Sequence, residues 1–173
     1  MNAEELAQHR HDADDFFRNH PQSPLLPEQR ATFAGMDYFP HNPALDLEIE
    51  AEEFAEKEGV LVPVTGDQPT RPFEKWGVLR FEVEGQAVQL TLLYEPEHDY
   101  FFLGFWDATS GTETYGGGRY LDPPRLPDGR FAVNFNMAYN PYCAYNDRYS
   151  CVIPLPENRL PVRIEAGQKA FKK

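Results

Sequence analysis

From residue 45 onward the apolar residues fall at every second position, and this spacing constrains the fold more than any other feature of the chain. Leu45, Leu47, Ile49 and Ala51 alternate with Asp46, Glu48 and Glu50. Leu79, Phe81 and Val83 alternate with Arg80, Glu82 and Glu84. After the turn Glu84-Gly85-Gln86 the pattern returns as Val88, Leu90, Leu92 and Tyr94. A period of two places apolar side chains on one face of an extended backbone, so each run reads as a half-buried strand and the last two as a hairpin. Val60, Val62 and Val64 suggest another short strand, whereas 51–57 fits helix and strand equally. The run Tyr100–Trp106 is apolar on both faces apart from Gly104 and reads as a central strand buried on both sides. Phe131, Val133 and Phe135 suggest a later strand, and Val162 and Ile164 a last short one. Turn signals recur roughly every ten residues, as in antiparallel β folds. The expected class is mainly β: an antiparallel barrel or a two-layer sandwich.

A helix precedes the strands. Residues 3–19 read as helical, with Asn2 as cap and Glu5 completing a capping box. Leu6, Ala13 and Phe17 share a face, Phe16 lies beside them, and Asn19, His20 and Pro21 stop the helix. Pro27 and Gly35 bracket a second short helix over roughly 27–33. Leu25, Leu26 and Phe33 would anchor it. One domain over 1–173 is expected, with a helical segment over 1–35 packed on one end of a β core spanning 45–165. The 16 prolines and 12 glycines argue against an all-helical bundle.

Charge excludes several partners. The formal net charge of −12 disfavours nucleic acid and anionic membrane surfaces. Residues 1–60 carry 14 acids against 4 bases, and residues 61–173 carry 14 against 12, so the acidity sits in the N-terminal third. That flank either serves solubility or docks a basic partner. The acidic N-terminus lacks the apolar core of a signal peptide. The longest apolar run, Tyr100–Trp106, falls far short of the roughly 20 residues that a membrane helix needs. A cytoplasmic location is therefore expected, where Cys143 and Cys151 would remain thiols; a disulfide between them requires the intervening loop to fold back.

Polar chemistry concentrates in 107–158, which holds six of the nine tyrosines. Arg119 follows Gly116-Gly117-Gly118, glycines that allow close backbone approach to a ligand. Its guanidinium suits two-point capture of a carboxylate or phosphate. Alternatively it closes a turn by pairing with Glu113 or Asp122. No Lys-Ser/Thr pair follows, so this is not a phosphate loop. Asp107 and Glu113 are candidate general bases, although Asp107-Ala108-Thr109-Ser110-Gly111 also fits a capped turn. Asn136, Tyr139 and Asn140 offer neutral donors and acceptors for a polar ligand, or a network that fixes the loop around Pro141. Cys143 is a nucleophile only if a base approaches it, and His98 is the nearest histidine in sequence. Metal-ligand spacing is poor; Asp107, Glu113 and Asp122 make the one all-oxygen set to weigh, and no metal or cofactor is expected.

Within this region the pattern F-x-D-x-T-x-G-x-E-T-Y-x-x-G-R-Y-L-D runs from Phe105 to Asp122. N-F-N-x-A-Y-N-P-x-C-A-Y follows over Asn134–Tyr145, then P-E-N-x-L and I-x-A-G-x-K. Together with Phe16-Phe17, Ser23-Pro24-Leu25 and Phe33 to Tyr38, these motifs resemble a prokaryotic family catalogued as domain of unknown function 1684. The resemblance covers most of the chain and brings no activity with it. Asn134 is a departure, since an acid is expected at that position in relatives.

The leading functional expectation is a small anionic or polar molecule bound without reaction. Its pocket would be walled by Tyr115, Tyr120, Tyr139 and Tyr145, with Arg119, Asp122, Asn136, Asn140 and Cys143 contributing polar contacts. A hydrolase-like enzyme would use the same pocket with Glu113 or Asp107 as base and Arg119 as electrostatic stabiliser. A third reading is an interaction module that docks through the acidic helix 3–19.

Overall fold

The computed structural model describes residues 1–66 and 70–172. Helix α1 (Ala3–Asn19) starts as its sequence requires: the Asn2 side chain accepts from the Glu5 amide and the Glu5 carboxylate accepts from the Asn2 amide, each at 2.8 Å. Its buried face carries Leu6 and Phe17. Helix α2 (Pro27–Thr32) opens on a proline, whose missing N–H costs nothing in the first turn. Phe17, Leu25, Met36 and Tyr145 form a small core, with Phe16, Phe33, Tyr38 and Phe171 around it.

The strands are β1 (Asp46–Ile49), β2 (Glu52–Pro63), β3 (Thr70–Val83), β4 (Gln86–Glu95), β5 (Tyr100–Phe105), β6 (Arg119–Leu121) and β7 (Phe131–Asn134). They form two antiparallel sheets, a five-stranded one ordered β2-β3-β4-β5-β6 and a two-stranded one pairing β1 with β7. The larger sheet stays open, so the architecture is that of a sandwich rather than a closed barrel. The ambiguous segment 51–57 belongs mostly to β2, an edge strand. Its exposed Glu52, Glu53, Glu56 and Glu58 discourage pairing with another chain. The β3–β4 hairpin turns at Glu84 and Gly85, both at positive φ (50° and 81°), which matches the right-handed twist of the flanking strands.

Both faces of the sheet are covered. Leu79, Leu90, Leu92, Leu103 and Phe105 meet Phe131, Val133 and Phe135 in the main core. On the opposite face Val62, Phe73, Leu93, Phe102 and Tyr120 pack with Val152 and Leu155. Consecutive Phe102 and Leu103 therefore enter different cores, as the two-sided apolar run in β5 implies. β5 itself lies one strand in from the edge, paired with β4 and β6.

One expected strand does not form. Val162 and Ile164 are buried but belong to no strand, and the backbone bends at Pro161 and Val162. Pro161 removes one donor from this segment, and the Ile164 carbonyl is turned instead toward a buried arginine. The segment is held by an isolated parallel bridge at Trp106, which donates to the Asn158 carbonyl (2.9 Å) and accepts from the Leu160 amide (2.8 Å), and by the Ala108 amide donating to Val162 (2.9 Å). Asn158 reinforces it by donating to Thr91 and Gly104 carbonyls and accepting from the Thr91 amide.

Candidate functional site

Arg119 opens β6, directly after Gly118. That glycine sits at φ +89°, and a Cβ there would lie 2.7 Å from the Phe105 carbonyl oxygen. The chain can therefore press against β5, and this turns the Arg119 side chain inward. The guanidinium is 1% exposed. It donates to the carbonyls of Ala166, Gln168 (3.3 Å) and Ile164 (2.9 Å) and to the Asp107 carboxylate (3.4 Å). Burial pulls its pKa below the ordinary arginine value, and Asp107 opposes that shift. The anion expected to be captured from outside is thus replaced by an internal carboxylate and three main-chain oxygens. The two sequence-neighbour partners, Glu113 and Asp122, lie elsewhere.

Asp107 is the hub of the turn that follows β5. Its oxygens accept from the Thr109 hydroxyl (2.9 Å), the Ser110 hydroxyl (3.3 Å) and the Ile164 amide (2.6 Å), as well as from Arg119. These are the bonds of a capped turn. Glu113 is exposed and paired with Arg163. Neither carboxylate lines the cleft described below. Asn136 exchanges bonds with the Asn42 backbone at 2.8 Å each way, and Asn140 joins Gln168 and the Lys169 carbonyl. Both fix loops. Asn134 caps the 3-10 turn Phe135–Met137 by accepting from the Asn136 amide, an acceptor role that a carboxylate would fill as well.

The four tyrosines expected to wall one pocket do not converge on one: Tyr120 and Tyr139 touch, while Tyr115 and Tyr145 bond to other partners. Tyr145 is 1% exposed, packs on Phe17 and Phe171, and donates to Gln168. Tyr120 is buried and donates to the Val152 carbonyl. Tyr115 reaches Cys143, 3.6 Å from its sulfur. Tyr139 packs edge-on against Tyr120 and donates to Asp122 at 2.7 Å.

Asp122 leads to the open surface. It follows β6, is exposed, and accepts from the hydroxyls of Tyr100 and Tyr139. Burial, then the neighbouring Asp122 carboxylate, pushes both phenols above their ordinary pKa, so they stay donors. Asp122 lines a cleft of about 570 Å³ together with Trp76, Tyr94, Asp99, Tyr100, Phe101, Pro123, Pro124 and Arg125. That volume lies in the range of small-molecule sites. A second carboxylate, Asp99, accepts from Tyr94 at 2.8 Å. Arg125 lies over the Trp76 ring at 5.2 Å. Of the expected ligand-binding residues, Asp122 alone lines this cleft. The rest of its wall comes from β3 (Trp76), β4 (Tyr94), the β4–β5 turn (Asp99), β5 (Tyr100 and Phe101) and the Pro123-Pro124-Arg125 loop, and the Asp-Pro-Pro-Arg run directly after a strand was its local signal.

A second hollow of about 350 Å³ lies on α1, lined by Asp12, Asp15, Phe16, Asn19, His20 and Pro21. Asp14 instead accepts from the Met36 amide at 3.0 Å. Among the described residues no group of three or more His, Cys, Asp or Glu side chains converges as a metal site would. Asp107, Glu113 and Asp122 point to three separate environments. Among the described residues no helix is long and apolar enough to cross a membrane.

The comparisons agree with this architecture. The solution NMR structure of an uncharacterized protein of Haloarcula marismortui is similar at 34% identity and a TM-score of 0.71. The match covers 96% of this chain and 92% of that one. No curated protein matches. The family model described as protein of unknown function (DUF1684) matches residues 31–169, and the chain belongs to that family.

Proposed function

We propose that this protein binds a small polar molecule in the cleft between the β4–β5 turn and the Asp122–Arg125 loop. One observation carries the reading: the exposed Asp122 carboxylate is held by two tyrosine hydroxyls at the mouth of an aromatic- and proline-walled cleft. Fixed polar groups on an apolar wall are the usual make-up of a ligand site. Two carboxylates and one guanidinium line the cleft, so the balance favours a guest with hydroxyl or ammonium donors over an anion. A flat or ring-shaped body would stack on Tyr94, Tyr100 or Phe101. Binding, rather than reaction, fits carboxylates already occupied by neutral phenols.

The test is a thermal-shift screen of the full chain with monosaccharides and small primary and quaternary amines. A member of that panel should raise the melting temperature of the wild type. Asp122→Asn should abolish the rise while moving the unliganded melting temperature by no more than about 2 °C. A rise that survives in Asp122→Asn, or no rise with either class, overturns the proposal.

A further inference from the structure

Neither Cys143 nor Cys151 lines that cleft. Both are free thiols, Cys143 half-buried and Cys151 buried. Cys143 sits on the single 3-10 turn Tyr142–Ala144. Its amide donates to the Cys151 sulfur at 3.2 Å, so the inner sulfur rests against the backbone of the outer cysteine. Cys151 is held by its neighbours: its amide donates to the Thr65 hydroxyl at 3.0 Å and its carbonyl accepts from the Thr65 amide at 2.9 Å. The segment between the cysteines has folded back, which is the condition a cross-link requires.

We propose that Cys143 and Cys151 form a dithiol site that reacts with small disulfides, Cys143 as the attacking thiol and Cys151 as the resolving one. Access sets the order, since Cys143 is the more exposed of the two. Its sulfur also has the Tyr115 hydroxyl at 3.6 Å. Hydrogen bonds from Cys151 first, then from Tyr115 and Thr65, hold the Cys143 thiol below its ordinary pKa against the cost of burial, while Cys151 is pushed up. The other titratable groups nearby are Tyr120, whose phenol burial and then the two thiols push up, and Tyr115, whose phenol is pushed up in part by the charge of Asp147.

The chemistry balances with one co-reactant, a low-molecular-weight disulfide RSSR. Cys143 loses its proton to solvent, and its thiolate forms a bond to one sulfur of RSSR. The S–S bond breaks, and the departing RS⁻ takes up a proton as RSH. Cys151 then loses its proton and attacks the Cys143 sulfur, which expels the second RS⁻ as RSH. Two protein thiols are oxidised to one disulfide and one RSSR is reduced to two RSH. The site is independent of the Asp122 cleft.

The experiment uses the reduced full chain and oxidised glutathione, read by intact mass and by peptide mapping. The wild type should lose the mass of two hydrogens, and the map should show a Cys143–Cys151 link. Cys151→Ser should stop at a stable glutathione adduct on Cys143. Cys143→Ser should react about tenfold more slowly or less. Mapping the unmutated protein decides the matter if either variant fails to fold. A wild type that keeps both thiols, carries adducts with no internal link, or is modified first at Cys151 overturns the proposal.

Discussion

The guanidinium of Arg119 and the carboxylate of Asp107 face each other at 3.4 Å, with side-chain exposures of 1% and 0%. A charged pair so enclosed contributes less than its Coulomb attraction suggests, because both ions gave up water. Its removal is another matter, since the survivor is left buried without compensation.

Arg119→Met is therefore expected to cost about 3–5 kcal/mol in urea unfolding. Asp107→Asn should be costly for the same reason. The double variant should lose less than the two single losses added together, because the groups share one network. Additivity would show that the two act separately.

The glycine triplet should split in mutagenesis. At Gly116 an added Cβ meets nothing closer than 3.6 Å. Gly116→Ala is expected to change stability by less than about 1 kcal/mol. Gly118→Ala combines a positive φ with a clash against the Phe105 carbonyl and should cost more than about 2 kcal/mol. Equal effects at both positions would contradict the close packing of β6 on β5.

Glu113→Gln is expected to leave stability within about 1 kcal/mol, since its pair with Arg163 is solvent-exposed. Thermal unfolding of the purified variant measures this directly. A large loss would mean that Glu113 does more than decorate the surface.

Alkaline pH should destabilise the fold through its tyrosines. The phenols of Tyr100, Tyr120, Tyr139 and Tyr145 are all pushed above the ordinary value of 10.0, burial being the first cause in each. Below that value the phenols are protonated in both the folded and unfolded chain, and the stability they confer is fully present. Above it the unfolded chain releases protons that the folded chain retains, so stability falls as pH rises. Spectrophotometric titration should find these phenols neutral well past the point where free tyrosine ionises. Tyr100→Phe should shift the titrated fraction without steepening the loss.

Legibility in the sequence followed the range of the interaction. The Asn2–Glu5 capping box spans three residues, and the Glu84-Gly85 turn involves adjacent ones, so both can be read from a short window. The two-sided run in β5 also announces its double burial. Arg119 shows the limit. A short window offers Glu113 and Asp122 as partners, yet the acceptors are Asp107 and three carbonyls more than forty residues downstream. The alternation of Val162 and Ile164 suggested a strand because side-chain period reports burial alone. It cannot register that Pro161 removes a donor or that a distant guanidinium claims a carbonyl. The cleft is assembled in the same non-local way: Trp76 and Arg125 come from segments far apart in the chain, and only the Arg125 side has a local signal, the Asp-Pro-Pro-Arg run.

Because Arg119 takes its oxygen acceptors from Ile164, Ala166 and Gln168, the sheet's last strand cannot settle until those residues have left the ribosome. A nascent chain released only as far as β6 would offer the guanidinium the Asp107 carboxylate but none of the three carbonyls that complete its shell. Closure of β6 on β5 is thereby tied to the segment 164–168, and β2 to β5 must wait with one edge unfinished until that segment docks.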